Sequence, residues 1–546
     1  MTRFGAFGVG CALLMGGAGC AHEAAPSREA RSSKPAGPVE LEIIGLNDFH
    51  GHLEPPDGGQ RVGEERVPAG GIAHLAARVR ALRDRAEHAI VVSAGDLVGA
   101  SPLTSALFHD EPTIDGMDLL GLDINGVGNH ELDEGLDELL RMKRGGCHPK
   151  DGCTLDDFDG SDAVFLAANV RHRETGETIF PEYEIREFGG IQVGFIGLTL
   201  EDTPAMLPPI VPELSFEDET RTINHVTAEL REQGVRAIVV LLHEGGFTES
   251  KDPNACPGLS GPIVEIVKGL DAEVDLVLSG HTHQAYVCEG MGPLLTSGGS
   301  FGRVLTEIRA TLDPTTNDFA RIEAHNRVVD HAAPPAKDVE QMVARVREKA
   351  APLANRVVAQ IEAPITRTRT DGGVSALGRV IADAQLAATG AQGAELAFMN
   401  DGGIRASLEP GDARLTYGML FAAQPFSNLL VTLSLPGRRI LEALNGQLAA
   451  ERRRWMDASS NVSYRWTEHE DGTGKVLAES VEISGEPLDP DRIYRVTVNA
   501  YMASRGVFAD GTHRDTSGVD LDALVEYFEA RSPFTPPSLD GVRRDG

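Results

Sequence analysis

Long apolar runs recur through the first 330 or so residues and place the strongest constraint on the fold. Each has the length and composition of a buried β-strand, and stretches of helical periodicity separate them; the clearest are HAIVVSAGD, IQVGFIGLT, VRAIVVLLHE and VDLVLSGHT. Fully buried strands that alternate with helices are typical of α/β folds with largely parallel sheets. The sequence therefore predicts an α/β domain over residues 39–335.

The chain has 546 residues, which is enough for two domains with complete cores. Its formal charge is −32 at pH 7. This excess of negative charge would repel a polyanion, so we expect no nucleic-acid polymer as a partner. A small anionic substrate would also be repelled at long range. Its binding site must therefore supply local positive charge, from arginines or from metal ions.

The N-terminus has the features of an export signal. Residues 1–20 contain the short apolar stretch FGAFGVGCALLMGGAG and end in GAGC, which resembles a bacterial lipobox with Cys20 as the lipidated residue. Gly17 stands where a larger aliphatic residue is usual, so plain secretion remains the alternative. Residues 21–38 are small, polar and proline-bearing, and we expect a flexible tether. The predicted location is periplasmic or cell-surface, with membrane contact only through the lipid on Cys20.

Four cysteines follow the signal, an even number in a chain predicted to be exported. We expect Cys147 to pair with Cys153 and Cys256 with Cys288. A zinc site is the alternative, but the CxxC spacing typical of such sites does not occur.

A helix is expected over residues 336–357, where Val339, Met342 and Val346 fall on one apolar stripe. It would link the first domain to a second, of mixed strands and helices, over residues 358–532. Residues 533–546 read as an irregular tail.

Polar residues follow five of the apolar runs, in the segments NDFHGH, SAGD, GNHELD, LLHEGG and SGHTHQ. The carboxyl ends of parallel strands line the ligand crevice of open α/β sheets, so these side chains could meet in space. The candidate ligands are carboxylates, imidazoles and one amide: Asp48, His50, Asp96, Asn129, His243, His281 and His283.

This donor set suits two divalent ions such as zinc or manganese. Asp96 is the natural bridge, since a carboxylate has two oxygens to share. Any one of these residues alone is more often a turn, cap or structural residue than a ligand. Five such segments in one domain favour the metal site.

The same segments resemble the calcineurin-like metallophosphoesterases, whose pattern is D-x-H, G-D, G-N-H-[DE], H and G-H-x-H. More narrowly, LNDFHGHLEP, GNHELDEG and SGHTHQ resemble the exported bifunctional 5′-nucleotidase and UDP-sugar hydrolase family. This resemblance implies an N-terminal metallophosphoesterase α/β sandwich, a linker helix and a C-terminal α+β 5′-nucleotidase domain.

The resemblance also implies roles for individual residues. One ion would be held by Asp48, His50, Asp96 and His283, and the second by Asp96, Asn129, His243 and His281. His130 would act as a catalytic acid or transition-state stabiliser, oriented by Asp133. Many relatives carry glutamine at the position of His283, so the preference of the first ion could differ here.

In the second domain, the resemblance implies a nucleotide pocket. Phe426 and Tyr501 would sandwich the base, Asn428 would contact it, and Asp510 would accept from ribose hydroxyls. Arg379 and Arg405 would hold the phosphate, beside a turn formed by Asn400, Gly402 and Gly403. The segment SRGVFADG is about three residues longer than its counterpart in relatives, which leaves open whether Tyr501 or Phe508 completes the clamp.

The expected function is metal-dependent hydrolysis of nucleoside 5′-monophosphates, extending to UDP-sugars or other nucleotide pyrophosphates. A 2′,3′-cyclic nucleotide phosphodiesterase with 3′-nucleotidase activity is an alternative on the same architecture. A thiosulfohydrolase on this scaffold would leave the nucleotide-domain motifs unexplained. From another class, a lipoprotein could bind nucleotides without hydrolysing them. The sequence does not define the oligomeric state.

Overall fold

The computed structural model describes residues 37–545 apart from 57, 64, 156, 207–210, 427 and 450–452. The predicted signal peptide, its Cys20 and most of the predicted tether therefore lie outside the described residues. Among the residues described, no helix combines the length and the apolar character that crossing a membrane requires.

Two six-stranded sheets pack face to face in the first domain. The strand order in the first sheet is Asp318–Val328, Val304–Asp313, Val39–Leu46, Ala89–Ser93, Ile124–Gly126 and Val164–Leu166. The order in the second is Ala285–Cys288, Leu294–Gly298, Leu276–Ser279, Ala237–His243, Ile191–Thr199 and Tyr183–Phe188. Neighbours in the middle of each sheet run parallel, as does the edge pair Ile124–Gly126 and Val164–Leu166, while antiparallel strands lie at the other edges.

Helices cover the outer faces of this sandwich, which explains why the central strands are apolar throughout. All seven residues of Ala237–His243 are buried. The helices packed on the first sheet are Ile72–Arg83, Glu111–Leu120, Leu136–Arg144 and Lys337–Ala354, and those on the second are Glu219–Glu232 and Pro262–Lys268. Shorter helices span Leu103–Ala106, His130–Leu132 and Thr203–Met206. The predicted α/β sandwich is confirmed.

Two glycines let the sheets approach closely at one end of the sandwich. A Cβ added at Gly197 would lie 2.4 Å from the Cβ of Leu166 in the opposite sheet. At Gly126 it would lie 3.0 Å from the Cβ of Leu241. Both glycines stand near the carboxyl ends of their strands. Side chains that leave the two sheets at this end can therefore reach one another.

The helix expected over 336–357 spans Lys337–Ala354. Its apolar stripe is buried and joins the core formed with Ile72–Arg83 and Glu111–Leu120. The helix thus belongs to the packing of the first domain as well as connecting it to the second.

The second domain is built around two sheets. One has the order Met456–Ala458, Leu396–Asn400, Ile493–Asn499, Leu429–Pro436 and Thr512–Val519. The other contains Gly474–Val476, Val462–Glu468, Glu482–Ile483, Glu486–Pro487 and Val542–Asp545. Its helices are Ala376–Ala388, Gly390–Gln392, Asp401–Gly403, Tyr417–Ala423, Gly437–Gly446, Ala478–Ser480, Ala500–Ala503, Gly506–Ala509 and Asp520–Glu529.

Three small two-stranded pairs complete the fold. They join Gln60–Val62 to Glu65–Val67, Val170–His172 to Leu214–Phe216, and Val357–Gln360 to Arg414–Thr416.

The C-terminal segment corrects one prediction. The sequence predicts an irregular tail over residues 533–546, but Val542–Asp545 is a strand that pairs in parallel with Val462–Glu468. The backbone hydrogen bonds of that neighbouring strand, rather than any apolar alternation in VRRD, account for the extended conformation.

Both predicted disulfides are confirmed. Cys147 is bonded to Cys153, and Cys256 is bonded to Cys288. The second bond joins strand Ala285–Cys288 to the long connection that follows strand Ala237–His243.

Candidate metal centre

The structure brings all seven predicted ligands together at the carboxyl ends of the central strands. Their metal-binding atoms form two groups, each with all its members within 4.8 Å of one another: Asp48, His50 and His283 in one, and Asp96, His243 and His281 in the other. Asn129 joins the second group, since its Oδ1 lies 3.1 Å from Nδ1 of His281. Both sheets contribute to each group.

In the first group, imidazole nitrogens face each other and a carboxylate. Nε2 of His50 lies 3.1 Å from Nε2 of His283, which lies 3.5 Å from Oδ1 of Asp48. Nδ1 of His50 is 2.8 Å from the carbonyl oxygen of Gly99 and donates its proton there, so a lone pair remains on Nε2. A cation is bound by several lone pairs that face the same space, as the nitrogen and oxygen atoms of this group do.

His243 shows the same feature more sharply. Its Nδ1 donates to the carbonyl of Ala94 at 2.7 Å, and its Nε2 lies 3.0 Å from Oδ2 of Asp96. Nevertheless, this fully buried Nε2 makes no hydrogen bond with acceptable geometry. A buried polar atom without a partner is costly, unless a ligand satisfies it. The orphaned nitrogen and the donor types around it fit a divalent metal ion.

Asp96 lies between the two groups. Its Oδ2 is 3.5 Å from Nε2 of His50 and 3.0 Å from Nε2 of His243, while its Oδ1 accepts from the backbone N–H of His130 at 2.9 Å. One carboxylate oxygen thus reaches a histidine of each group, as a bridging ligand must.

Electrostatics keep three of the histidines in the form that binds metal. Burial lowers the pKa of His281 to about 4, and burial together with the charge of Arg405 lowers that of His283 to about 3. Burial also holds the pKa of His50 well below its usual range. These imidazoles are therefore neutral near pH 7. For His243, burial favours the neutral form, but the charge of Asp96 outweighs it and raises the pKa to about 10.

Two buried side chains that the sequence reasoning did not single out position the ligands. Asn47 donates to Oδ2 of Asp48 at 2.6 Å, and its own Oδ1 accepts from the backbone of Gly298 at 2.8 Å. Glu131 accepts from the backbone N–H groups of Asp96, Leu97 and Gly128 at 2.8–3.0 Å. The acidic residue in the motif G-N-H-[DE] was the signal that could have identified Glu131.

The predicted catalytic pair is in contact. Nδ1 of His130 lies 2.7 Å from Oδ2 of Asp133. Burial alone would lower the pKa of His130, but the charges of Asp133 and Asp96 raise it to about 9. His130 therefore carries a proton at neutral pH, and its Nδ1–H is held by the carboxylate.

Two predicted residues of the second domain lie around this centre. The ring of Phe426 is 6.2 Å from that of His130, and the guanidinium of Arg405 lies 4.9 Å over the Phe426 ring. The second domain thus places an aromatic ring and a positive charge beside the metal ligands. The guanidinium of Arg505 covers Tyr501 at 4.0 Å.

A second arginine, which was not predicted, accompanies Arg405. Nη1 of Arg367 donates to the backbone carbonyl of Arg405 at 2.9 Å, so two guanidinium-bearing residues stand side by side. Of the neighbouring predicted residues, Gly402 and Gly403 form the short helix Asp401–Gly403, and Asn400 accepts from Asn499 at 2.9 Å. Asn428 is anchored through its backbone carbonyl, which accepts from the N–H of Asp520 at 2.8 Å.

One prediction for the nucleotide pocket needs correction. Arg379 is only 2% exposed and donates to the carbonyl of Ser538 at 3.1 Å, so it lies beneath the C-terminal segment and cannot grip a substrate phosphate. Asp510 is exposed and paired with Arg439, and its contact with ribose stays a prediction.

Phe508 is buried in the core, where its ring packs 5.9 Å from that of Phe398. It therefore cannot replace Tyr501, and the half-buried Tyr501 remains the candidate for the second ring of the clamp.

The α/β sandwich gathers carboxylates, imidazoles and an amide at its strand ends. The calcineurin-like phosphoesterase model matches residues 41–285, and the 5′-nucleotidase C-terminal domain model matches residues 357–510. The chain belongs to the family that joins these two domains.

Individual relatives show how far the similarity extends. Endonuclease YhcR of Bacillus subtilis is 31% identical over 92% of this chain, which spans only 40% of that protein's length. The 5′-nucleotidase of Vibrio vulnificus is 25% identical over 96% of this chain and 95% of its own. Among solved structures, a 5′-nucleotidase precursor from Thermus thermophilus aligns with a TM-score of 0.73 and 24% identity, covering 92% of this chain and 99% of that one.

Proposed function

We propose that this protein hydrolyses nucleoside 5′-monophosphates to nucleoside and phosphate with two divalent ions. One ion would be held by Asp48, His50, Asp96 and His283, and the other by Asp96, Asn129, His243 and His281. The observation that carries the proposal is the buried Nε2 of His243, which has no hydrogen-bond partner and lies 3.0 Å from the carboxylate shared by both groups.

Bound ions would supply Lewis acidity, which lowers the pKa of a water molecule and neutralises charge on the phosphoryl oxygens. The protein's own contribution is proton transfer at His130. Its Nδ1–H is fixed on Asp133, so the proton on Nε2 is free to be given to the leaving oxygen of the nucleoside. The charge of Asp133 opposes the effect of burial and raises the pKa of His130, which favours the protonated imidazole.

The second domain would hold the nucleotide. Phe426 and Tyr501 offer flat rings for the base, and Arg405 with Arg367 offers positive charge for the phosphate. This local charge overcomes the long-range repulsion that a chain of charge −32 exerts on an anion. UDP-sugars and other nucleotide pyrophosphates present the same base and phosphate groups, and we include them as substrates.

Phosphate release from a panel of mono-, di-, cyclic and sugar nucleotides, with manganese or zinc, tests the proposal. We expect 5′-monophosphates to react fastest, and Asp96→Asn to lower the rate at least about 100-fold, because a shared ligand is lost. Asp137→Asn changes an exposed carboxylate on helix Leu136–Arg144 and is the matched control. Fastest turnover of 2′,3′-cyclic nucleotides would instead assign the phosphodiesterase function.

A chelator separates hydrolysis from simple binding. We expect chelated protein to keep its nucleotide affinity through the second domain while phosphate release stops. Undiminished phosphate release after chelation would contradict the proposed role of the ions.

We further propose that the protein is exported and anchored through a lipid on Cys20. The two disulfides support an oxidising compartment. Incorporation of labelled fatty acid into the parent, but not into Cys20→Ala, is the expected result. A parent protein that is secreted without label would show plain secretion.

A further inference from the structure

A second cluster of metal-binding side chains lies outside the centre described above. It contains His109, His148, Asp151 and Glu134, none of which is among the seven ligands of that centre. We propose that His109, His148 and Asp151 form a separate site for a divalent transition-metal ion such as zinc.

The spacing of the ligand atoms supports this site. Oδ2 of Asp151 lies 2.9 Å from Nε2 of His109 and 3.3 Å from Nδ1 of His148. Tetrahedral zinc with Zn–N and Zn–O bonds of about 2.1 Å places neighbouring ligand atoms roughly 3.4 Å apart. Nδ1 of His148 also accepts from the backbone N–H of Asp151 at 3.2 Å, so an ion at this nitrogen would replace that hydrogen bond.

Glu134 provides an independent argument. Histidines that bind metal usually donate their other ring N–H to a carboxylate, which fixes the ring orientation. Nδ1 of His109 lies 3.2 Å from Oε2 of Glu134, so its Nε2 is directed towards Asp151 as that arrangement requires. The rings of His109 and His148 are stacked, with centroids 3.7 Å apart and planes 16° apart, so one ring must turn before both nitrogens can reach the same ion.

Chain connectivity holds the site together before an ion binds. His148 and Asp151 lie inside the short loop closed by the Cys147–Cys153 disulfide, and the N–H of Gly152 donates to the carbonyl of His148 at 2.9 Å. The two histidine side chains are 15% and 10% exposed and that of Asp151 is 57% exposed. Water can therefore complete the coordination from the open side.

Equilibrium dialysis of the full chain against zinc, with metal counted by mass spectrometry, tests the site. We expect His148→Ala and Asp151→Asn each to bind one ion fewer than the parent, while phosphate release stays within about twofold because neither residue touches the reaction. His225→Ala, an exposed histidine on helix Glu219–Glu232, should bind as many ions as the parent.

An Asp96→Asn background separates this result from the dinuclear centre, since adding His148→Ala to it should remove one further ion. Thermal unfolding of each variant identifies any misfolded protein. Equal zinc content in the parent and in both folded variants would overturn the proposal and leave His109 as a cation paired with Glu134 and Asp151.

Discussion

The backbone conformation sets the side-chain direction of most of the predicted metal ligands. Five of the seven have a positive φ: Asp48 (49°), His50 (48°), Asp96 (54°), His281 (68°) and His283 (56°). Residues with a Cβ adopt this left-handed conformation at a cost, although Asp and His tolerate it better than β-branched residues do. Such strain persists only where the surrounding structure enforces it. The fold therefore sets the ligand directions before any ion binds.

Glu131 is one of the groups that hold the predicted ligands in these directions. We predict that Glu131→Gln lowers zinc affinity about 10–100-fold. The amide would retain one acceptor oxygen but turn an NH₂ group towards backbone N–H groups that now bond to a carboxylate. Calorimetric zinc titration measures the effect, and kcat should fall in parallel. Glu340→Gln, at an exposed position of helix Lys337–Ala354, is the control. Equal affinities in the two variants would contradict this role.

Asp275 yields a prediction about pH and stability. Burial, with the charges of Asp318 and Glu273, raises its pKa from 3.8 to about 8. Between these values the unfolded chain is ionised while the folded chain keeps its proton, so Asp275 makes the protein less stable as pH rises from about 4 to 8.

Asp275→Asn should remove that loss, because an amide does not ionise and its oxygen can still accept from the N–H of Ile238. We expect the variant's advantage in unfolding free energy to grow with pH between about 4 and 8, by at most about 1.4 kcal/mol per pH unit. Urea unfolding at several pH values measures it, and a difference that does not change with pH would contradict the assignment.

The clustering of the predicted metal ligands could be foreseen because their residue types and their places after strands both carry information. The nucleotide pocket was harder to predict. Arg379 looked available on its helix, yet a carbonyl at Ser538, far along the chain, covers it. Local sequence does not reveal which distant segment covers a side chain.

At the level of elements, the close approach of the sheets depends on small residues. Gly197 stands opposite Leu166, so any added side-chain atom would force the strands apart. We predict that Gly197→Ala lowers the free energy of unfolding by about 1–3 kcal/mol, the usual cost of overpacking a core. It should also weaken zinc binding, since ligands leave both sheets nearby.

Gly518→Ala is the matched control, because this strand glycine has no neighbouring atom within 4 Å of an added Cβ. Urea unfolding of both variants measures the difference. Equal stability of the two variants would show that the sheets can separate freely.

The central strands were predictable from sequence because burial on both faces makes them apolar throughout, as in Ala237–His243. The strand Val542–Asp545 was not, because two of its four residues are arginines and its conformation depends on pairing with Val462–Glu468. Strands of this kind are determined by tertiary contacts rather than by their own composition.

For the whole molecule, ions would connect the two sheets of the first domain, since each group of ligands takes members from both. We predict that a chelator lowers the Tm of the parent protein and that added zinc restores it. Ligand present at 100 times its Kd contributes about 2.7 kcal/mol. Asp96→Asn should show little of this shift in calorimetry, and an unchanged Tm for the chelated parent would contradict the prediction.

Sequence motifs predicted two domains but not how they meet. Leu103, in a short helix of the first domain, packs among buried residues of the second such as Val358 and Phe421. A single leucine in the segment SPLTSALF gives no local sign of such a contact, because its partners lie more than 250 positions away.

The wide separation of the ligands along the chain has a consequence for how the protein matures. Asp48 and His283 come from opposite ends of the first domain and meet only after both sheets have formed and docked. Metallation of the proposed centre would thus be a late event that follows folding. The compartment in which folding finishes would determine which ions fill the centre, and its supply of trace metals would set the fraction of molecules that become active.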